Sequence, residues 1–268
     1  MRTLVHLSDL HFGRIDPAIL APLVKFIGEV KPNLVAISGD LTQRARTAEF
    51  LAAKKFLDAI PFPQIVVPGN HDVPLHNLFA RFVRRLDRYQ RYITTNLQPV
   101  FVDEEMVVVG VNTARAFTWK DGRINRRQLK QLTATINKPG SARTKIVVTH
   151  HPFDLPAGAS GRVVGRSRLA IKTLAECGVD LLLAGHFHIA DTSQTAKRYQ
   201  LPGYSAIVVS SGTSTSTRGR GQPNSLNVIR IGAPNLTIER RIWRPASSLF
   251  DVASVEQFRR EENEWIRR

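Results

Sequence analysis

The chain of 268 residues contains a single cysteine, Cys177. One thiol excludes an intramolecular disulfide and a cysteine-based zinc site. It fits a reducing compartment, and a cytoplasmic location is expected. No apolar run approaches the ~18 residues that a membrane-spanning helix needs. No charged stretch leading into a long apolar one opens the chain, so no secretory leader is expected. There is no internal repeat, low-complexity segment or linker, and no block of five or six like charges that would mark a binding tail. Aromatic residues are sparse at 7%. Acidic residues are outnumbered, with 22 Asp and Glu against 38 Lys and Arg, for a net charge of +16. Such an excess points to a polyanionic partner (nucleic acid, anionic lipid or a phosphorylated substrate) or to a solvated basic surface without a specific role. The 43% hydrophobic content argues against wholesale disorder.

What the chain does have is alternation. Short apolar runs at 4–8, 34–38, 64–67, 106–111, 145–149 and 180–184 predict strands, with further strands at 205–210, 225–231 and 236–241. Amphipathic stretches at 17–29, 47–59, 75–94, 126–136 and 168–176 predict helices. The β-α-β-α order argues for an α/β layered fold, with the strand-rich last third completing a second sheet. A single domain over 1–268 is expected. Its tail, 246–268, reads as a terminal helix: Val255, Phe258, Trp265 and Ile266 fall near helical spacing, to dock on the body or to lie on an anionic membrane through its arginines.

The chemistry sits where the strands end. Asp9 and His11 follow the first strand in "SDLHFG", and Asp40 follows the second in "SGDLTQ". Asn70, His71 and Asp72 follow the third in "PGNHDVP", His150 and His151 follow "KIVVT", and His186 and His188 follow "DLLLAG". Six of the eight histidines belong to these clusters. Any one of them is an ordinary polar turn. Five strand ends carrying the same ligand chemistry are a site, because ligands of α/β sheets gather beyond the carboxyl ends of the strands. Glycines 39, 69 and 185 precede three of the clusters and would permit sharp turns. Asp9 with His11, and His186 with His188, stand two residues apart and would point the same way along an extended segment.

Seven groups suit two metal ions. Asp9, His11 and His188 would hold one, Asn70, His150 and His186 the other, and Asp40 would bridge them with its two oxygens. Mixed oxygen and imidazole ligands without thiolate suit manganese, iron or zinc. Two such ions clamp the attacking and leaving oxygens of an in-line displacement, with a water ionised between them attacking phosphorus. His71 is left over to protonate the leaving oxygen, with Asp72 to orient its ring. His151 is placed behind the ligands or facing substrate. Arg115, Arg123, Arg162, Arg166, Arg218 and Arg220 are candidate substrate contacts. The loops "GASGRVVGRSR" and "TSTSTRGRG" are expected near the metals, the second able to close over substrate.

The set D-L-H (9–11), G-D-L (39–41), G-N-H-D (69–72), H-H-P (150–152) and G-H-F-H (185–188) resembles the calcineurin-like metallophosphoesterases in order and spacing, with no ligand position substituted. The resemblance implies a four-layer αββα sandwich of two mixed β-sheets flanked by helices, with a binuclear metal centre at the sheet edge. It implies His150, the first of the histidine pair, as the ligand, and a phosphate-facing His71. The wording of the motifs is most similar to the bacterial class III cyclic-nucleotide phosphodiesterases. A phosphodiesterase acting on a small nucleotide-like diester is therefore expected. The alternatives are a UDP-2,3-diacylglucosamine pyrophosphohydrolase working at a membrane surface, which the basic charge and the tail favour, and a metal-dependent nuclease. The absence of a nucleic-acid-binding module counts against the nuclease. A non-catalytic scaffold on the same fold is disfavoured by the complete ligand set. Nothing in the sequence fixes an oligomeric state.

Overall fold

A computed structural model describes residues 1–75, 78–138, 143–219 and 221–268. Among these residues the elements run β1 (Arg2–Leu7), α1 (Pro17–Val30), β2 (Leu34–Ile37), α2 (Thr47–Asp58), β3 (Gln64–Val66), α3 (Leu78–Val83), α4 (Asp87–Tyr92), β4 (Val100–Val102) and β5 (Met106–Gly110). There follow α5 (Arg126–Asn137), β6 (Thr144–Val148), α6 (Ser167–Glu176), β7 (Leu181–Ala184), β8 (Asp191–Gln194), α7 (Ala196–Tyr199), β9 (Ile207–Ser210), β10 (Ser225–Gly232), β11 (Asn235–Arg244), β12 (Leu249–Glu261) and β13 (Glu264–Arg267). One sheet has the order β13-β12-β11-β10-β1-β2-β3, the other β4-β5-β6-β7-β9-β8. Both are mixed: β1, β2 and β3 run parallel, as do β5, β6, β7 and β9, and the remaining pairs are antiparallel.

The central parallel strands β2, β5, β7 and β9 are apolar at nearly every position because they are covered on both faces. Successive side chains alternate between faces. Leu4, Leu34, Ala36, Met106, Val108, Ile146, Val148, Leu181 and Leu183 meet in the layer between the sheets. Their neighbours Val5, Val35 and Ile37 pack against Ile19, Leu23 and Ile27 of α1 and against Phe50 and Phe56 of α2. Val107, Val109, Val147 and Leu182 pack against Leu129, Leu132 and Ile136 of α5 and Ala170, Ile171 and Leu174 of α6. The result is the four-layer αββα sandwich. Helix starts are set locally. Asp16 caps α1 by accepting from Ala18 N at 3.0 Å, and Asn125 and Gln128 cap α5 reciprocally.

Two expected elements differ. The tail is a strand pair. β12 runs along β11, pairing from Asn235 with Arg259 to Arg244 with Leu249. Phe258 and Trp265 enter the layer between the sheets, while Phe250 packs on the opposite face against Phe26 and Trp243. A helix would have put these aromatics on one stripe; β11, otherwise an open edge, needs them on two faces. Of the stretch 75–94, residues 76–77 lie outside the described residues, and 78–94 hold two short helices, not one. The break around residues 84–86 lets Arg81, Leu86 and Tyr89 all turn inward, and Tyr89 donates to Val66 O at 3.0 Å. The short strands β4 and β8 were not legible as strands, β4 because it is brief and half exposed, β8 because it is polar.

Candidate metal centre

The parallel strands β1, β2 and β3 of one sheet and β6 and β7 of the other end at the same edge. The turns beyond them bring Asp9, His11, Asp40, Asn70, His150, His186 and His188 together. Asp9 Oδ1 lies 3.6 Å from His11 Nε2 and 3.3 Å from His188 Nε2. The two imidazole nitrogens are 3.1 Å apart. Asp40 Oδ2 lies 3.7 Å from His11 Nε2 and 3.3 Å from His150 Nε2, and His150 Nε2 is 3.1 Å from Asn70 Oδ1. His186 stands beside His150, with ring centroids 5.2 Å apart.

The backbone here departs from the extended geometry expected. Asp9, His11, Asp40, His186 and His188 all lie in the left-handed region, with φ of 52°, 52°, 51°, 78° and 57°. Such conformations are costly for residues with a Cβ and are maintained only where the surroundings over-determine them. Of the three glycines, only Gly39 uses its φ of +89° to make a turn. Gly69 and Gly185 are needed for close approach: a Cβ on Gly69 would stand 2.1 Å from Asp40 Oδ1, and one on Gly185 would stand 1.8 Å from Ser8 Oγ.

Hydrogen bonds behind the ligands fix which atom of each faces inward. His150 Nδ1 donates to Ser38 O at 2.8 Å and His188 Nδ1 to Arg218 O at 3.2 Å, which turns both Nε2 atoms toward the centre. Asp9 Oδ2 accepts from Ser8 Oγ at 2.6 Å and His186 N at 3.0 Å. Asp9 Oδ1 is buried and accepts no hydrogen bond among the described residues. Asp40 Oδ1 is taken by His71 N at 2.8 Å. Asp40 therefore offers one oxygen, Oδ2, to both groups, where two had been expected to share the bridging.

The electrostatics match. Burial opposes ionisation of Asp9, but His188, His11 and His150 outweigh it and hold the carboxyl well below its ordinary range. Asp40 is held down in the same way by His150, His71 and His11. Burial, reinforced by the charge of His150, lowers His186 to about 3 and keeps its lone pair free at neutral pH. An orphaned carboxylate oxygen, lone pairs in mutual contact and ionised carboxylates under buried imidazoles together fit divalent cations. Asp9, His11 and His188 form one group able to hold an ion. His150 and His186 form part of a second with His151, and Asp40 joins Asp9 and His150 in a third between them.

Above the centre is a cleft of about 330 Å3, lined by Asp40, Asn70, His71, His186, His188 and Arg218 together with the rim residues Lys120, Asp121, Ser160, Gly161, Arg162 and Phe187. His71 Nδ1 donates to Gln43 O at 2.8 Å, which turns Nε2 toward the cleft, where it accepts from Arg218 Nη1 at 3.0 Å. Arg162 reaches the rim, 3.8 Å from Asp121.

Several expected roles are corrected. Asp72 does not touch the His71 ring. It is buried, and its carboxylate accepts from Gly69 N, Leu41 N, Thr42 N and Thr42 Oγ1 at 2.9–3.2 Å, clamping the Asp40 turn to the Asn70 turn. Burial, then the charge of Asp40, raises its pKa to about 6. His151 is not substrate-facing. It is buried behind His150 and His186, with Nδ1 2.8 Å from Thr113 Oγ1. Arg166 is exposed where α6 begins and does not line the cleft, and neither do Arg115 and Arg123. Arg220 lies outside the described residues. Thr213–Ser216 of the "TSTSTRGRG" loop form a buried strap, not a lid: Thr213 Oγ1 donates to Asp9 O at 2.7 Å, Thr215 Oγ1 to Leu10 O at 2.7 Å and Ser216 Oγ to Arg14 O at 3.1 Å. This strap fixes the Asp9 turn and delivers Arg218. Lys120 and Gln43 were missed, since a lone lysine in a loop and a backbone carbonyl carry no sequence signal.

Comparison with known proteins agrees with this geometry. The family model described as calcineurin-like phosphoesterase matches residues 2–190. The glycerophosphodiester phosphodiesterase GpdQ of Enterobacter lignolyticus is 26% identical over 163 residues, 57% of this chain and 58% of that protein. A probable cyclic nucleotide phosphodiesterase of Ruthia magnifica is 22% identical over 158 residues, 56% of this chain and 61% of that one. The chain thus spans about three fifths of the length of the curated relatives it matches. Among solved structures, a purple acid phosphatase from yellow lupin (Lupinus luteus) covers 97% of this chain with 54% of its own, at a TM-score of 0.74 and 14% identity, a likeness of fold.

Proposed function

Since the chain belongs to the calcineurin-like phosphoesterase family, we propose that it is a binuclear-metal-dependent hydrolase whose preferred substrate is a small nucleotide-like phosphodiester. The observation that carries this reading is the convergence of two ligand groups on one carboxylate oxygen, Asp40 Oδ2, beneath a cleft that presents His71 and Arg218. The phosphodiesterase names of the curated relatives support the diester preference.

Asp9, His11 and His188 would hold one ion, Asn70, His150 and His186 the other, with Asp40 Oδ2 shared. Manganese, iron or zinc suits these ligands. When bound, the ions supply acidification of water and neutralisation of charge at the phosphoryl oxygens. The protein's own residues do the rest. Arg218, on turning from His71, would offer its guanidinium to the non-bridging oxygens. That movement releases His71 Nε2, which is then placed to hold a proton for the departing oxygen while Gln43 O keeps the ring in register. The Asp72 clamp and the Thr213–Ser216 strap hold the turns in their left-handed geometry, so that the site is built before substrate arrives. The lone buried Cys177 fits a reducing compartment, and we place the activity in the cytoplasm.

A substrate panel assayed with manganese tests the reading. It would compare bis(p-nitrophenyl) phosphate, cyclic nucleotides and glycerophosphodiesters with p-nitrophenyl phosphate, UDP-2,3-diacylglucosamine and DNA. The diesters should give the highest kcat/KM. A higher value for the nucleotide-sugar lipid or for DNA would replace the diester assignment, and inactivity on every member with every divalent metal would refute the hydrolase.

A further inference from the structure

Beside the cleft the surface is unusually apolar. Phe117 is 82% exposed, Phe79 66%, Val83 65%, Trp119 45% and Phe82 43%. They come from two segments, α3 and the loop 115–121, whose next residues Lys120 and Asp121 line the cleft. These side chains are not loose ends. Arg81 is almost completely buried between the segments: Nε donates to Ala116 O at 2.8 Å, Nη1 to Pro74 O at 3.1 Å, and the guanidinium lies 4.1 Å from the Trp119 ring centroid. The rings of Phe82 and Phe117 are 5.0 Å apart. Burying an arginine to fix an exposed aromatic ledge has no use in forming the core. Ledges of this kind mark an interaction surface.

The surrounding charge identifies the partner. Between Phe79 and Arg91 there are five arginines and one acid. Phe79 borders a hollow of about 350 Å3 lined by Arg84, Arg88 and Arg91 with Asp87. A second copy of the chain meeting the ledge across a two-fold axis would set these arginines against each other. Among the described residues, no helix is long and apolar enough to cross a membrane. Aromatics that enter the acyl boundary beside cations at headgroup depth suit a surface that is apolar within and anionic at its face.

We propose that the chain docks on anionic lipid bilayers through the ledge of Phe79, Phe82, Val83, Phe117 and Trp119, with the Arg84, Arg88 and Arg91 hollow receiving a lipid phosphate and the mouth of the metal cleft held beside the headgroups. The inference does not depend on which ester is cleaved.

Tryptophan makes the test direct, because Trp243 and Trp265 are 5% and 3% exposed and Trp119 alone of the three is open. The full chain is mixed with vesicles of phosphatidylglycerol and phosphatidylcholine, or of phosphatidylcholine alone, and followed by flotation and by quenching from brominated acyl chains. Anionic vesicles should carry the protein, and brominated lipid should quench its emission. Phe79→Ser with Phe117→Ser should lower vesicle affinity by about tenfold or more while hydrolysis of a soluble diester is unchanged. Arg84→Gln with Arg91→Gln, which leaves the ledge intact, should weaken binding and flatten its salt dependence. Absence of binding to anionic vesicles at low salt would overturn the proposal. So would binding that survives the aromatic substitutions, or a dimer in light scattering that those substitutions abolish.

Discussion

Replacing Gly69 by alanine adds one methyl group at a crowded point of the site, between the Asp40 and Asn70 turns. Its Cβ would stand 2.1 Å from Asp40 Oδ1 and 2.4 Å from Asp40 N, where non-bonded carbon contacts settle near about 3.5 Å. Either the Asp40 turn or the Asn70 turn has to move by roughly 1 Å. Hydrogen bonds join those turns here, from Leu41 N to Asp72 Oδ2 and from His71 N to Asp40 Oδ1. Overpacking costs about 1–3 kcal/mol, and a partner left stranded about 1–3 kcal/mol more, so with one of these bonds broken a loss of roughly 2–6 kcal/mol is expected in urea unfolding. To the extent that the strain is relieved by displacing Asp40, it appears as function: a 1 Å misplacement of a reacting group costs on the order of 10²-fold in rate. Metal content after desalting, turnover of bis(p-nitrophenyl) phosphate and the unfolding midpoint should all fall together. Gly28 serves as the control. It lies in α1 with nothing near its Cβ, so Gly28→Ala should be neutral or stabilising by up to about 1 kcal/mol. A Gly69→Ala enzyme with wild-type metal content and turnover would refute the claim that Asp40 is held between the two groups by that turn.

Other perturbations separate the roles. Asn70→Ala should reduce kcat by about 10²-fold and lower metal content, since only one side of the pair loses its amide oxygen; full activity would remove Asn70 from the ligand set. Arg218→Gln keeps the backbone oxygen that holds His188, so metal content should stay at the wild-type level while KM rises and kcat falls; a loss of metal would mean that the side chain is structural. Chelator-treated protein should be most stable near pH 6.5. Burial lowers His6 and His186 to about 3, so their contribution is full above about 6.5 and lost as pH falls toward 3. His150 goes the other way: burial opposes its charge, but Asp40 raises it to about 9, and that contribution is full below 6.5 and lost as pH rises toward 9. Thermal unfolding midpoints that climb steadily from pH 5 to pH 9 would contradict these assignments.

The layers and the convergence of the candidate ligands were legible because both follow from short-range rules. A strand buried on two faces is apolar throughout, and a site at a sheet edge puts its donors one or two residues past each strand. What was not legible depends on residues distant in sequence. Asp72 looks like a partner for His71 from its position, yet its oxygens go to the backbone around Leu41 and Thr42, some 30 residues away. The tail carries four apolar residues at near-helical spacing, but β11 presented an edge that only a strand could cover. Left-handed φ values at Asp9, His11, Asp40, His186 and His188 suit Asp and His better than most residues, but what holds the Asp9 and Asp40 turns comes from outside them, from the Thr213–Ser216 strap and the Asp72 clamp. Arg218 was one arginine among several in the sequence and became distinct only when the strap carried it to His71.

Two cations that share Asp40 should both be needed for hydrolysis. Manganese titration of chelator-treated protein, with bound metal and bis(p-nitrophenyl) phosphate turnover measured in the same samples, tests it most directly. Binding should saturate at two equivalents, with most of the turnover appearing as the second is taken up. Full turnover at one equivalent, or two equivalents bound with no hydrolysis of any phosphate ester, would contradict it.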